Sequence, residues 1–137
     1  MSGFSNPEQL LKNLSPELQE GEFVFCTFED ETYGAYEALR PVASFAEKEG
    51  LALILTKSSA EAASIPFKTT YRQITLQVYS SLEAVGLTAA VSSALARAGI
   101  SANMMAAFHH DHIFVPSARA EEAVTVLQRL SQDDILS

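Results

Sequence analysis

An ordered change of hydrophobic period, occurring twice, restricts this chain more than any other feature. "EFVFCTF" (22–28) is an apolar run of strand length, apolar on both faces and therefore expected in the middle of a sheet. The acidic loop "EDETYG" (29–34) follows. "YEALRPVASFAEKEG" (36–50) then predicts a helix with Val42, Phe45 and Ala46 on one face, Pro41 near its start and Gly50 past its end. "LALILTK" (51–57) is a second buried strand, and Ser58 and Glu61 have capping-box spacing for a short helix after it. Later, "RQITLQVY" (72–79) alternates Ile74, Leu76 and Val78 with Gln73, Thr75 and Gln77. "LTAAVSSALARAG" (87–99) carries Leu87, Val91, Ala94, Leu95 and Ala98 on one stripe and closes on Gly99, in the place that Gly50 holds in the first copy. Two strands of one sheet joined through a helix form a right-handed crossover unit.

The second copy continues. "ISANMMAAF" (100–108) alternates, with Ile100, Ala102, Met104, Ala106 and Phe108 inward; "HIFVP" (112–116) is a short strand; Ser117 caps "ARAEEAVTVLQRL" (118–130), whose apolar face is Ala120, Ala123, Val124, Leu127 and Leu130. The order β-α-β-β-α is ferredoxin-like. The expected fold is α+β: two tandem ferredoxin-like βαββα units with antiparallel sheets and helices on one face. The halves are residues 1–67, less complete, and 68–137. Ser5 and Glu8 have capping-box spacing for a helix carrying Leu10, Leu11 and Leu14, and "QDDILS" (132–137) fits either a last strand or a tail.

Charge narrows the partners. The chain has 137 residues and a net charge of −8, with no compensating basic cluster. A phosphate backbone or an anionic membrane surface would repel it, so neither nucleic acid nor membrane is an expected partner. An apolar fraction of 47% argues against disorder. No run approaches the roughly 18 apolar residues of a spanning helix, and Met1–Lys12 lacks the pattern of a signal peptide. A single cysteine, Cys26, excludes an internal disulfide. These features fit a cytoplasmic protein.

"FHHDHIFV" (108–115) holds His109, His110, Asp111 and His112 within four positions. A zinc site needs three or four converging ligands, and neighbours on a strand point to opposite faces. The segment also lies between two strands expected to pair as a hairpin, where exposed polar residues and Asp are common. A turn explains it without a metal, so neither metal nor cofactor is expected. Cys26, inside an apolar strand, is expected to be a buried, inert thiol. No glycine-rich phosphate loop occurs. No constellation of catalytic residues appears, although a metal or thiol enzyme built on "HHDH" and Cys26 is an alternative reading.

The stretch "LQVYSSLEAVGLTAAVSSALARAGISANMMAAFHHDHIFVP" resembles the ACT domain, a ferredoxin-like regulatory module that binds amino acids and similar small effectors. Over residues 20 to 130 the chain is similar to small bacterial proteins with two ACT-like halves. The resemblance implies a binding site in the loop between the first strand and helix of an ACT unit: Ser81, Leu82, Glu83, Ala84, Val85, Gly86 and Leu87. Many ACT domains have Asp-x-Pro-Gly in this loop, and here Glu83-Ala84-Val85-Gly86 keeps the acid and the glycine. Gly86 permits close approach of a ligand to the backbone, and the amides that follow suit a carboxylate. Asn103 offers an amide, and Glu83 or Asp30 an acceptor for an ammonium. The resemblance implies a non-catalytic regulatory protein with an amino-acid effector, and a homodimer is an expected assembly. A protein-interaction module without a small ligand is the alternative.

Overall fold

The computed structural model describes residues 6–79 and 81–132. In chain order the elements are α1 (Pro7–Lys12), β1 (Pro16–Leu18), β2 (Phe23–Glu29), β3 (Ala43–Glu47), β4 (Gly50–Thr56), α2 (Lys57–Ala62), β5 (Tyr71–Leu76), α3 (Leu87–Arg97), β6 (Asn103–Ala106), β7 (Asp111–Pro116) and α4 (Ala120–Gln132). They form two compact units. One is Gly21–Tyr71; the other joins the residues up to Glu20 to those from Arg72 onward. The sequence suggests halves of 1–67 and 68–137. In the structure residues 6–20 group with the residues from Arg72 onward, where Leu10, Leu11 and Leu14 share one core with Val91, Leu95 and Leu127.

The larger unit realises the β-α-β-β-α order as β5, α3, β6, β7 and α4. β5 lies between β1 and β7, with β6 outside β7. β6 and β7 are antiparallel, Asn103 opposite Phe114 and Met105 opposite His112. Ile74 and Leu76 of β5 and Ile113 and Val115 of β7 turn to the face carrying α1, α3 and α4, and share one core with the leucines of those helices. The α3 stripe buries Leu87, Val91, Ala94 and Leu95. Gly99 ends α3 in a Schellman motif: at φ +73° it lets Ile100 N–H reach Leu95 O at 2.9 Å while its own N–H reaches Ala96 O at 2.9 Å. The Arg119 guanidinium adds bonds to Ala98 O at 3.0 Å and Gly99 O at 3.3 Å, placing a cation at the negative end of α3. Asn6 caps α1, its side chain accepting from Glu8 N–H at 2.9 Å; Ser5 and the end of "QDDILS" lie outside the described residues. A 3-10 turn over Ser117–Arg119 leads into α4.

The Gly21–Tyr71 unit departs from expectation. Its strand order is β3-β4-β2, antiparallel throughout. The helix expected over 36–50 is absent; a 3-10 turn at Glu37–Leu39 and the strand β3 stand in its place. Pro41 explains much of the difference, since it has no N–H to donate and disfavours helical geometry at the residue before it. Arg40 takes a left-handed φ of 51° instead, and Val42 N–H then bonds Ile54 O at 2.8 Å, starting the pairing of Ala43–Glu47 with β4. This unit is therefore an antiparallel three-stranded ladder with one short helix, not a strand–helix–strand crossover. α2 is capped by Thr56, two residues before the expected cap at Ser58, with Thr56 Oγ1 accepting from Ser59 N–H at 3.2 Å. β4 is buried as expected, whereas β2 buries Phe23 and Val24 and leaves Phe25 and Thr27 exposed, so it is not enclosed on both faces. The local core is Val24, Leu51, Leu53, Leu55 and Ala60. Among the described residues no helix is long and apolar enough to cross a membrane.

Candidate functional site

Beyond β5 the chain runs through Val78 and Tyr79 to a tight turn. Ser81 Oγ accepts from Glu83 N–H at 3.1 Å, and Ser81 O accepts from Ala84 N–H at 3.0 Å. Gly86 follows with φ +103° and ψ −22°, conformational space that side-chain-bearing residues rarely enter, and it is the N-cap of α3. Having no side chain, it caps none of the first-turn amides, so these donors and the positive end of the α3 dipole open toward the loop. A Cβ built at Gly86 would lie 3.7 Å from Pro7 Cγ, so α1 backs the loop closely. Leu82 and Val85 are 66% and 77% exposed, whereas Leu87 is 3% exposed and belongs to the core; only its backbone is available to a ligand.

The other expected site residues, Asn103 and Asp30, are carried by other elements. Asn103 begins β6, beyond the C-terminal end of the eleven-residue α3, about 16 Å along the helix axis from Gly86, and its Nδ2 donates to Phe114 O at 3.4 Å. Asp30 belongs to the Gly21–Tyr71 unit, where it turns the chain at φ +59° and donates its N–H to Glu49 O at 3.2 Å.

The histidine segment supplies neighbours that the sequence did not suggest. Ala107 N–H bonds His110 O at 3.1 Å and closes a hairpin with Phe108 and His109 at its tip. Phe108, expected inward, is 67% exposed, because the turn begins before it; Asp111 and His112 already belong to β7. His110 Nδ1 approaches Val78 O at 3.4 Å, and the ring of Tyr79 meets that of His109 edge to face at 5.3 Å. This places the hairpin tip beside the strand exit that leads into the Ser81–Gly86 loop. The signal was the hairpin itself: in this fold the β6–β7 turn and the loop after β5 share one end of the sheet.

His112 has a different task. Its Nδ1 lies 3.0 Å from Thr75 Oγ1 and 3.1 Å from Gln73 Nε2. An amide nitrogen only donates, so Nδ1 accepts and the proton of the neutral ring sits on Nε2. Burial holds the imidazole below its ordinary pKa, the nearby His110 adds to this and Asp111 opposes it; burial likewise raises Asp111. A histidine with a lowered folded-state pKa favours folding in its neutral form. Its contribution is full above the unfolded-state value of about 6.5 and is eroded as pH falls below it. Asp111 acts in the opposite sense only lower, where carboxyls titrate. Thermal melts from pH 7.5 to 5.5 should therefore show the wild type losing more stability than His112→Gln; parallel curves would remove this role.

Cys26 lies half-buried in β2, its Sγ donating to Leu53 O at 3.6 Å, and burial pushes its thiol pKa up. It is held protonated and poorly nucleophilic. Among the described residues no three His, Cys, Asp or Glu side chains are grouped to hold a metal ion.

The larger unit is a ferredoxin-like βαββα module with an open loop at a helix N-terminus. Comparison makes this specific: ACT domain profiles match residues 2–72 and 68–129, and the chain belongs to the ACT domain family. It is 45% identical to a Vibrio cholerae protein of unknown function, described as a possible transport protein, over 88% of this chain and 92% of that one, with a TM-score of 0.80 to its crystal structure. It also shares its fold with the ligand-free regulatory subunit of aspartate kinase from Thermus thermophilus: 13% identity, 84% and 95% coverage, TM-score 0.57. The Clostridium acetobutylicum aspartate kinase matches at 8% identity with a TM-score of 0.63, over 84% of this chain and 34% of that enzyme. No curated protein matches the sequence.

Proposed function

We propose that this protein is a cytoplasmic amino-acid sensor without chemistry of its own, and that the effector binds at the Ser81–Gly86 loop. The observation that carries this reading is Gly86, a left-handed, side-chain-free N-cap that opens the first amides of α3 to an anion. The α-carboxylate lies on those amides, and the Glu83 carboxylate accepts from the ammonium. Leu82 and Val85 flank the effector's side chain, and Tyr79 with His109 closes the far side. Membership of a regulatory family and likeness to aspartate kinase regulatory subunits support a regulatory role. Homodimerisation is part of the proposal, because exposed Leu82, Val85 and Phe108 leave apolar surface for a second copy to cover.

A thermal-shift screen against the twenty amino acids tests it. At 100 times its Kd an effector should stabilise the chain by about 2.7 kcal/mol, a shift of several degrees. Gly86→Val should abolish the response. Silence across the panel, together with a reproducible protein partner, would favour the interaction module instead.

A further inference from the structure

The Gly21–Tyr71 unit contains a groove that this reading does not use. On the edge of β2 away from β4, pairing stops at the Phe23–Tyr71 rung. Lys57 N–H bonds Glu22 O at 2.9 Å and Asp30 N–H bonds Glu49 O at 3.2 Å, so the even-numbered residues of β2 bond β4. Thr27 therefore directs its N–H and C=O to the opposite edge, and among the described residues no rung joins it to the segment 64–69. Between them lies a groove of about 530 Å³. Its walls include Phe25, Ile65, Phe67 and Tyr71, the Phe25 and Tyr71 rings packing edge to face at 5.0 Å. Lys68 is the one lining residue with a formal charge at neutral pH, and among the described residues it enters no ion pair. An apolar wall with few polar groups, in this size range, is the usual character of a small-molecule site.

We propose that this groove is a second binding site, for a small apolar carboxylate. The carbon skeleton lies against Phe67, Ile65 and Tyr71. The carboxylate meets Lys68, whose cation selects an anion in a chain of net charge −8, and the Thr27 backbone edge supplies a further hydrogen bond. The site belongs to the other unit from the Gly86 loop and does not depend on it.

The probe is 3-phenylpropionate, titrated into the 15N-labelled full chain, with 3-phenylpropionamide as its uncharged counterpart. Saturable amide shifts are expected at Thr27, Phe67 and Lys68, with the amide binding about fivefold more weakly. Lys68→Glu changes an exposed residue, so its spectrum should otherwise match the wild type, and it should lose most of the affinity. Binding should survive Gly86→Val, which separates this site from the sensor loop. Absence of saturable shifts at these residues, equal binding of acid and amide, or unchanged binding by Lys68→Glu would each overturn the proposal.

Discussion

Replacing Gly50 with alanine should destabilise the protein by about 3 kcal/mol or more. Gly50 opens β4 with φ +151°, and a Cβ there would press on the carbonyl oxygen of Phe28 and stand 3.0 Å from Asp30 N and Glu29 Cα. These are backbone atoms of β2 and the turn that follows it, so no side chain can swing aside. Either the β2–β4 ladder opens at that end or the residue keeps a conformation that alanine rarely adopts. Urea unfolding of Gly50→Ala measures the loss. A change below about 1 kcal/mol would mean that this end of the ladder is looser than described.

The second large effect lies in the other unit. Leu95 is fully buried on α3, in one core with Leu14, Ile113 and Leu127. Leu95→Ala leaves a cavity and should cost about 2–5 kcal/mol, the spread reflecting how far α1 and α4 collapse onto it. Leu82→Ala, at the exposed tip of the loop, is the matched control and should stay within about 0.5 kcal/mol. Equal losses in the two variants would contradict the assignment of Leu95 to the core.

The two closing glycines show what was legible in the sequence and what was not. Gly99 does what its position suggested, ending an amphipathic helix whose stripe is buried. Gly50 looked equivalent, yet it follows a strand and starts another. The apolar spacing of Val42, Phe45 and Ala46 fits a helical face. What decided the outcome was non-local: pairing with β4 was available, and Pro41 had already broken the helical hydrogen bonds. Phe45 belongs to that apolar face in a helix; on β3 it is exposed.

The candidate site divides in the same way. The resemblance to the ACT domain directed attention to Glu83 and Gly86, and the structure makes Gly86 the left-handed N-cap of α3. The nearness of Tyr79 and His109 was not legible, since it depends on where the β6–β7 turn begins, and that turn starts two residues earlier than the alternation through Phe108 implied. His112 was weighed as part of a polar turn. Its partners could have been found, because the alternation of "RQITLQVY" already placed Gln73 and Thr75 together on one face.

The most direct test of the central claim is an amide chemical-shift footprint of the 15N-labelled chain with the amino acid that stabilises it most in the thermal screen. The sensor reading predicts saturable shifts concentrated at Leu82–Ala89 and at Tyr79 and His109, lost in Gly86→Val. Shifts confined to other residues, or none from any amino acid, would contradict it.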